Sequence, residues 1–348
     1  MTYQRIISTN QLSDTLNDLL KEKSYDQLFV LTDEHTAKLC YPLIAQYTCG
    51  AHHITIPAGD ENKHIDTLCH VWKNLSYNNA TRHSLMINLG GGMVTDLGGF
   101  AAATYKRGIR YINIPTTLLA MVDASVGGKT GINLDSLKNE IGAFYPADAV
   151  IISSAFIHTL DIANIASGFA EMIKHGLIST DEHWARLLQY DQNRPELERL
   201  QSLIMESIHT KEEIVKQDPT EQNIRKALNL GHTLGHAYET LSMQRGIPCL
   251  HGYAVAWGLI GELYLSHIKE NFPVNKLRQT LSYIKELYGT PKFTCNDYDA
   301  LYELMQHDKK NIANEIRFTL LADIGEIRIN KTASREEIFE MLDFVRES

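Results

Sequence analysis

Cysteine is scarce in this chain, and its spacing excludes two common uses of the residue. The 348 residues include five cysteines, an odd number, and no Cys-x-x-Cys pair occurs. This pattern argues against a disulfide framework and against a cysteine-ligated zinc site, and it is typical of reduced thiols. We therefore expect a cytoplasmic protein.

Long apolar runs and an excess of positive charge are also missing. No segment is apolar over the length that crosses a bilayer, and the polar N-terminal residues lack the apolar core of a signal peptide. The formal net charge of −9 argues against nucleic acid and anionic membranes as partners. With 44% hydrophobic and 22% charged residues, the composition is typical of a soluble globular protein.

No internal repeat or low-complexity tract is present, and 348 residues exceed what one core usually supports, so we expect two domains. In the first part of the chain, apolar strand patterns alternate with helical patterns at 65–77 and 96–105. This alternation predicts a largely parallel sheet that binds ligands at the carboxyl ends of its strands. The predicted strands are 27–31, 53–56, 84–89, 111–114 and 149–152.

The pattern changes after about residue 159, where helical spacing dominates and strand signals become few. The predicted helices are 195–217, 228–241, 253–268 and 274–288, followed by a short β pair at 317–321 and 326–329. The sequence therefore predicts a Rossmann-like α/β domain over 1–160 and a mostly α-helical domain over 161–348.

A glycine run, Gly90–Gly92, follows the predicted strand 84–89 and begins the segment GGGMVTDLGGF. Glycine has no Cβ, so the backbone N–H groups of such a turn approach a phosphate closely at the start of a helix. A second glycine-rich block, PTTLLAMVDASVGGKTGIN, follows at 115–133. These blocks indicate a nucleotide cofactor.

A histidine block, LNLGHTLGHAYE, covers residues 228–239, and His251-Gly252 follows it. His232 and His236 are four residues apart and therefore project from one helical face. Imidazoles in this setting favour a metal site or an acid–base role, and the spacing alone favours both residues as metal ligands. For most of the fifteen histidines, however, a satisfied core or surface position is expected.

Four long blocks resemble the signature segments of 3-dehydroquinate synthases, which belong to the sugar-phosphate cyclases. They are VDASVGGKTGIN (122–133), LKNEIGAFY (137–145), SGFAEMIKHGLI (167–178) and LNLGHTLGHAYE (228–239). The resemblance extends from about residue 33 to 310, and several long blocks in order are far more specific than one glycine motif. It implies a dehydroquinate synthase-like fold, with NAD in the first domain and metal and substrate in the second.

The resemblance also implies an activity. The expected enzyme is a phosphate-eliminating carbon–oxygen lyase of the shikimate pathway to chorismate and the aromatic amino acids. It would convert 3-deoxy-D-arabino-heptulosonate 7-phosphate, a phosphorylated sugar acid, to 3-dehydroquinate and phosphate. NAD would be reoxidised in every cycle, a divalent zinc or cobalt ion would be required, and the enzyme would be a homodimer.

By resemblance, the metal ligands are Glu171, His232 and His251, whereas His236 faces the substrate. Three nitrogen and oxygen ligands leave places for substrate or water, as a catalytic zinc requires. Glu171 and Lys174 share a helical face and are either a surface ion pair of little value or part of a site. Their apolar surroundings favour the site, because charges there are costly otherwise.

The resemblance assigns the following residues to the cofactor: Asp33, Asp60, Lys63, Gly91, Gly92, Asp96, Thr116, Thr117, Lys129, Lys138, Phe156 and Thr159. Asp33 follows a predicted strand, so it is suited to ribose hydroxyls or to capping the next helix. Asp60 stands where the family has glutamate, and Glu61 is an alternative. Asp96 could instead be a simple charge in the first turn of a helix.

The residues expected to bind substrate or act in catalysis are Arg107, Asp123, Lys129, Asn139, Lys174, Lys211, Glu221, Arg225, Asn229, His236 and Lys310. So many cations suit a substrate that carries both a phosphate and a carboxylate. Arg107 corresponds to an arginine contributed across a dimer interface, and its alternative is a solvated loop charge. Lys309 is the alternative to Lys310.

Three residues depart from the family pattern. Leu137 replaces a common glycine, and Asp161 and Asn164 replace a common proline and glutamate. Three other functions remain open: a cyclase that makes 2-deoxy-scyllo-inosose or a valiolone, a metal-dependent NAD alcohol or glycerol dehydrogenase, and an inactive binding protein. The block DASVGGKTGIN and the lysine set favour the synthase.

Overall fold

The computed structural model describes residues 4–134, 137–192, 196–306 and 315–348. The predicted Lys310 and its alternative Lys309 lie outside these ranges. The chain divides into two compact units. The first comprises Met1–Asp161 with Glu196–Ile208, and the second comprises Ile162–Pro195 with His209–Ser348.

The first unit contains the predicted parallel sheet, and its first strand, Arg5–Ser8, was not predicted. Its strands are β1 (Arg5–Ser8), β2 (Leu28–Asp33), β3 (His52–Ile56), β4 (Leu85–Gly90), β5 (Arg110–Pro115) and β8 (Ala149–Ile152). They are ordered β1-β8-β5-β4-β2-β3, and every pairing is parallel. Strand β4 is buried along its whole length, as expected for a sheet covered on both faces.

Helices and a hairpin complete the first unit. The helices are α1 (Leu12–Glu22), α2 (Glu34–Leu39), α3 (Ile65–Tyr77) and α4 (Gly92–Thr104). Helix α3 matches its prediction, whereas α4 begins earlier than predicted, directly after the glycine turn. The antiparallel hairpin of β6 (Lys129–Leu134) and β7 (Leu137–Phe144) was not predicted.

The second unit is mostly helical, as predicted. Its helices are α5 (Ile162–Leu177), α6 (Asp181–Leu188), the later part of α7 (Leu197–Gln217), α8 (His232–Gln244), α9 (His251–Glu270), α10 (Val274–Tyr288), α11 (Tyr298–Gln306) and α12 (Arg335–Glu347). Strands β9 (Arg317–Asp323) and β10 (Glu326–Thr332) form the predicted antiparallel pair. Within the described ranges, no helix is both long and apolar enough to cross a membrane.

Helix α9 packs against both α5 and α8, and two glycines permit the close approach. A Cβ on Gly252 would lie 1.8 Å from the carbonyl oxygen of Ser167 in α5. A Cβ on Gly258 would lie 1.9 Å from the carbonyl oxygen of Gly231, directly before α8. Because backbone atoms occupy these positions, no side chain fits at either one.

The start of α8 differs from the prediction, which placed it at residue 228. Residues Ile224–Asn229 form a 3₁₀ turn, and Gly231 adopts a left-handed φ of 80° before the helix begins. Glycine tolerates this conformation because it lacks a Cβ. The correction makes His232 the first residue of α8.

Buried His183 in α6 predicts a pH dependence of stability. Burial, with a smaller contribution from Arg186, lowers its pKa from 6.5 to about 4. The unfolded chain therefore takes up the proton first, so the stabilisation is complete above pH 6.5 and is lost as the pH falls towards 4, by up to about 3 kcal/mol. We expect Tm to fall less between pH 6.5 and 4 in His183→Gln than in the wild type. Parallel profiles of Tm against pH for the two proteins would contradict the role of His183.

Candidate functional site

The glycine turn in the first unit joins the end of β4 at Gly90 to the start of α4 at Gly92. Gly91 is the N-cap residue of α4, and because it is glycine, no N-cap side chain accepts a hydrogen bond from the first amides of the helix. A Cβ on Gly91 would lie 3.1 Å from the Thr117 side chain, and one on Gly92 would lie 3.2 Å from the Ala124 Cβ. The turn is thus a backbone cradle suited to a phosphate.

Other predicted cofactor residues follow neighbouring strands at the same sheet edge. Asp33 ends β2, Thr116 follows β5, and Phe156 and Thr159 lie in the 3₁₀ turn after β8. Asp33 also caps α2, because its Oδ1 accepts hydrogen bonds at 2.8 Å from the amides of His35 and Thr36. Asp33 therefore caps α2, the alternative role given above, and it does so through Oδ1 of its carboxylate.

Lys63 links three segments of the first unit. Its side chain is buried, and Nζ lies 2.5 Å from Asp96 Oδ2 and 2.6 Å from Asn139 Oδ1. Asp60 pairs with Lys138, with 3.0 Å between Oδ2 and Nζ. Asn139, predicted to bind substrate, thus lies beside residues predicted to bind the cofactor.

The remaining predicted residues of the first unit lie in turns and at a strand end. Asp123 is in the short π-helical turn Ala120–Ala124, and exposed Lys129 begins β6. Arg107 is exposed and adopts a φ of 67° directly after Lys106, whose φ is 48°. Two consecutive left-handed residues other than glycine are uncommon, and such outliers cluster at functional sites.

Three donor groups converge in the second unit, one from each of three packed helices. Glu171 lies in α5 and is fully buried, while His232 and His251 are the first residues of α8 and α9. Oε1 of Glu171 lies 3.3 Å from Nε2 of His232 and 3.3 Å from Nε2 of His251. With metal–ligand bonds of about 2.1 Å, neighbouring ligands of a tetrahedral zinc lie about 3.4 Å apart, so this spacing fits a metal.

Hydrogen bonds orient both imidazoles with Nε2 towards Glu171. Nδ1 of His232 lies 3.1 Å from the carbonyl oxygen of Leu230, and Nδ1 of His251 lies 3.2 Å from Glu239 Oε2. Because a carbonyl oxygen and a carboxylate oxygen accept, each Nδ1 carries a hydrogen. Nε2 is therefore the nitrogen that would bind a metal, and His251 would release its Nε2 proton on binding, because ligands must be deprotonated.

The protonation states follow from burial and neighbouring charge. Burial lowers the pKa of His232 to about 4 despite Glu171. Burial also acts to lower the pKa of His251, but Glu239 and Glu171 outweigh it and raise the pKa to about 10. Burial opposes ionisation of Glu171, yet Lys174 and His232 hold its pKa well below the usual range.

Lys174 belongs to the same cluster. Its Nζ lies 2.5 Å from Glu171 Oε2, and both side chains are at most 1% exposed. The surface ion-pair alternative is therefore wrong. Burying two charges costs free energy even when they are paired, so a buried pair such as Lys174 and Glu171 is expected at a functional site rather than as a stabilising contact.

His236 lies one helical turn beyond His232 and is exposed. Its ring centroid is 5.2 Å from that of His232 and 5.8 Å from that of His251. Ligand atoms of the three histidines lie within 4.8 Å of one another. The geometry thus also permits the alternative ligand set of three histidines.

A loop before α8 holds three more predicted residues. Glu221 has a left-handed φ of 62°, and its Oε1 accepts a hydrogen bond from Asn229 Nδ2 at 2.9 Å. Arg225 is buried, and its Nη1 donates to the carbonyl oxygen of Pro219 at 2.6 Å. Lys211 is buried in α7.

Three buried carboxylates around these residues were missed by the sequence analysis. Glu239 accepts from His251, and Glu262 accepts from the amides at the start of α8. Asp218 accepts from three amides of the loop that contains Arg225. Glu239 closes the recognised block LNLGHTLGHAYE, which was its one available signal.

Comparison with known proteins adds independent findings. The 3-dehydroquinate synthase N-terminal family model matches residues 53–167, and the corresponding C-terminal model matches residues 168–311. A 3-dehydroquinate synthase of Parabacteroides distasonis is 52% identical over 350 aligned residues, covering 100% of this chain and 99% of that protein.

Solved structures of two synthases have a similar fold. A 2-epi-5-epi-valiolone synthase of Streptomyces hygroscopicus has a TM-score of 0.87 at 24% identity, with 100% of this chain and 98% of that chain covered. A 2-deoxy-scyllo-inosose synthase has a TM-score of 0.85 at 23% identity, with 99% and 96% covered. The family models and the full-length relative show that the chain is an enzyme of the 3-dehydroquinate synthase family.

Proposed function

We propose that the enzyme converts 3-deoxy-D-arabino-heptulosonate 7-phosphate to 3-dehydroquinate and phosphate, as a carbon–oxygen lyase of the shikimate pathway. The observation that carries this proposal is the 52% identity to a 3-dehydroquinate synthase over the whole chain. The converging Glu171, His232 and His251 and the buried Lys174 supply polar groups suited to such chemistry.

NAD is the proposed cofactor of the first domain, 1–160. The solved valiolone and inosose synthases both have NAD⁺ bound, and the glycine turn of this chain fits a pyrophosphate. When bound, NAD would supply reversible hydride transfer with no net redox change. Gly91 and Gly92 would bind the phosphates, and Asp33 would accept hydrogen bonds from ribose.

A divalent metal is the proposed ion of the second domain, 161–348, held by Glu171, His232 and His251. The solved valiolone synthase has Zn²⁺ bound and the inosose synthase has Co²⁺. When bound, the metal polarises a substrate oxygen. The 3.3 Å spacings and the direction of both Nε2 atoms support this set over the three-histidine set.

The remaining residues have roles with substrate in this proposal. Buried Arg225 and Lys211, with Lys129 and Lys310, would bind the phosphate and carboxylate of the sugar acid. Lys174, whose Nζ lies beside Glu171 Oε2, would move protons together with His236. The other polar groups of the sugar acid would be bound by Asp123, Asn139, Glu221 and Asn229.

We also propose a cytoplasmic homodimer. Arg107 would reach the site of the partner subunit. This role would explain why Arg107 is exposed and why it and Lys106 both have left-handed φ angles. None of the five cysteines forms a disulfide, as expected in a reducing compartment.

Glu239→Gln tests the metal ligands through a supporting residue. The variant keeps an oxygen for His251 Nδ1 but removes the charge that raises the basicity of the ring, so zinc affinity should fall by roughly 10- to 100-fold. Competition with a chelator measures the Kd. Exposed Glu213 in α7, changed to glutamine, is the control and should bind zinc like wild type. A wild-type Kd for Glu239→Gln would contradict the assignment.

Substrate choice tests the proposed activity. Metal-loaded enzyme with NAD is given the heptulosonate phosphate or a heptulose phosphate without the carboxylate, and phosphate release is followed. Release from the carboxylate-bearing sugar, with dehydroquinate identified by mass, is expected. Preference for the sugar without a carboxylate would assign the chain to another cyclase.

A further inference from the structure

Glu262 is a fully buried carboxylate in α9, the helix that begins with His251. Its Oε2 accepts a hydrogen bond from the amide of Gly231 at 2.8 Å, and its Oε1 accepts one from the amide of Thr233 at 2.9 Å. These two amides lie on either side of His232. One side chain of α9 thus holds the backbone around a proposed metal ligand of α8.

Helix α8 depends on this outside contribution. The first amides of a helix have no intrahelical partner, and the N-cap of α8 is a glycine without a side chain that could cap. A carboxylate is favourable at this position, because the amides and the helix dipole place positive charge there. The close contact at Gly258, on the same helix, brings the start of α8 within reach of Glu262.

We propose that Glu262 is a positioning residue for the metal site: by fixing the start of α8 to α9, it sets the distance between His232 and His251. Both histidines are the first residues of their helices, so a shift of α8 along α9 moves Nε2 of His232 directly. This inference rests on the proposed ligand set of Glu171, His232 and His251.

Glu262→Gln tests the inference with Co²⁺ as the probe. The amide group keeps one acceptor and turns an N–H₂ donor towards the other backbone amide, so one of the two hydrogen bonds is lost. We expect the Co²⁺ Kd to rise by roughly 10- to 100-fold and the visible spectrum of bound cobalt to change, because ligand geometry changes. Ser334→Ala is the control, since it removes the N-cap of α12, which holds no proposed ligand.

The outcomes separate three cases. The inference is supported if Glu262→Gln has a raised Co²⁺ Kd and an altered spectrum while Ser334→Ala keeps the wild-type Kd and spectrum. A lower Tm with the wild-type Kd and spectrum would show that Glu262 only stabilises the fold, which overturns it. Absence of Co²⁺ binding by the wild type would overturn the metal site itself.

A second variant covers failure to fold. Glu262→Asp keeps the charge but shortens the side chain, so partial loss of the two hydrogen bonds should raise the Co²⁺ Kd by about 10-fold, the lower end of the effect of a supporting residue. A wild-type Kd in this variant would overturn the inference.

Discussion

Glu171→Gln is expected to bind zinc more than about 100-fold more weakly than wild type, because even a residue that only supports a ligand contributes roughly 10- to 100-fold. The substitution removes the negative charge that lies 3.3 Å from both histidine nitrogens. It also leaves Lys174 buried without its counter-charge. Activity with the heptulosonate phosphate should fall with metal occupancy, which chelator competition measures alongside phosphate release.

His236→Ala is the matched comparison, because the two possible ligand sets predict opposite results. If Glu171, His232 and His251 hold the metal, His236→Ala keeps the wild-type zinc Kd while phosphate release slows. If the three histidines hold the metal, His236→Ala loses zinc and Glu171→Gln retains most of it. The second pattern would contradict the proposed set.

Gly258→Ala is expected to destabilise the second unit by about 3 kcal/mol or more, which corresponds to a fall in Tm of roughly 10 °C. The added Cβ would meet the carbonyl oxygen of Gly231 at 1.9 Å, and a backbone atom cannot turn aside as a side chain can. Helix α8 must then move away from α9, so zinc affinity should fall in the same variant.

Gly289→Ala is the control for Gly258→Ala. Gly289 has φ 62°, ψ −155° and no heavy atom within 4 Å of an added Cβ, so only this backbone conformation, which other residues rarely adopt, is penalised, by about 1–3 kcal/mol. We expect a smaller loss of Tm and an unchanged zinc Kd. Equal losses of Tm and zinc affinity in both variants would contradict the packing argument.

Local patterns predicted much of the fold. The strands β2, β4 and β5 were predicted because they are short apolar runs, and α3 and α10 were predicted with their observed bounds because their helical spacing is regular. The β6–β7 hairpin was missed because its sequence lacks the alternation of apolar and polar residues that predicts strands. The start of α8 was misplaced because the left-handed Gly231 breaks an otherwise continuous helical pattern.

The site was less predictable, because it depends on contacts between distant segments. Spacing alone favoured His232 and His236, whereas Glu171 and His251 entered only through the family resemblance. Nothing in the local sequence indicates that Glu262 reaches the start of α8. Such a role follows from helix packing, which a single sequence does not encode in a local pattern.

The count of phosphates released per NAD tests the central claim, a cyclase that uses NAD without consuming it. Metal-loaded enzyme is incubated with the heptulosonate phosphate and NAD below the enzyme concentration, and phosphate and NADH absorbance are followed together. The proposal predicts many phosphates per NAD and no accumulating NADH. No phosphate release here, with steady NADH formation in a parallel incubation with excess NAD and simple polyols, would contradict it and identify a dehydrogenase.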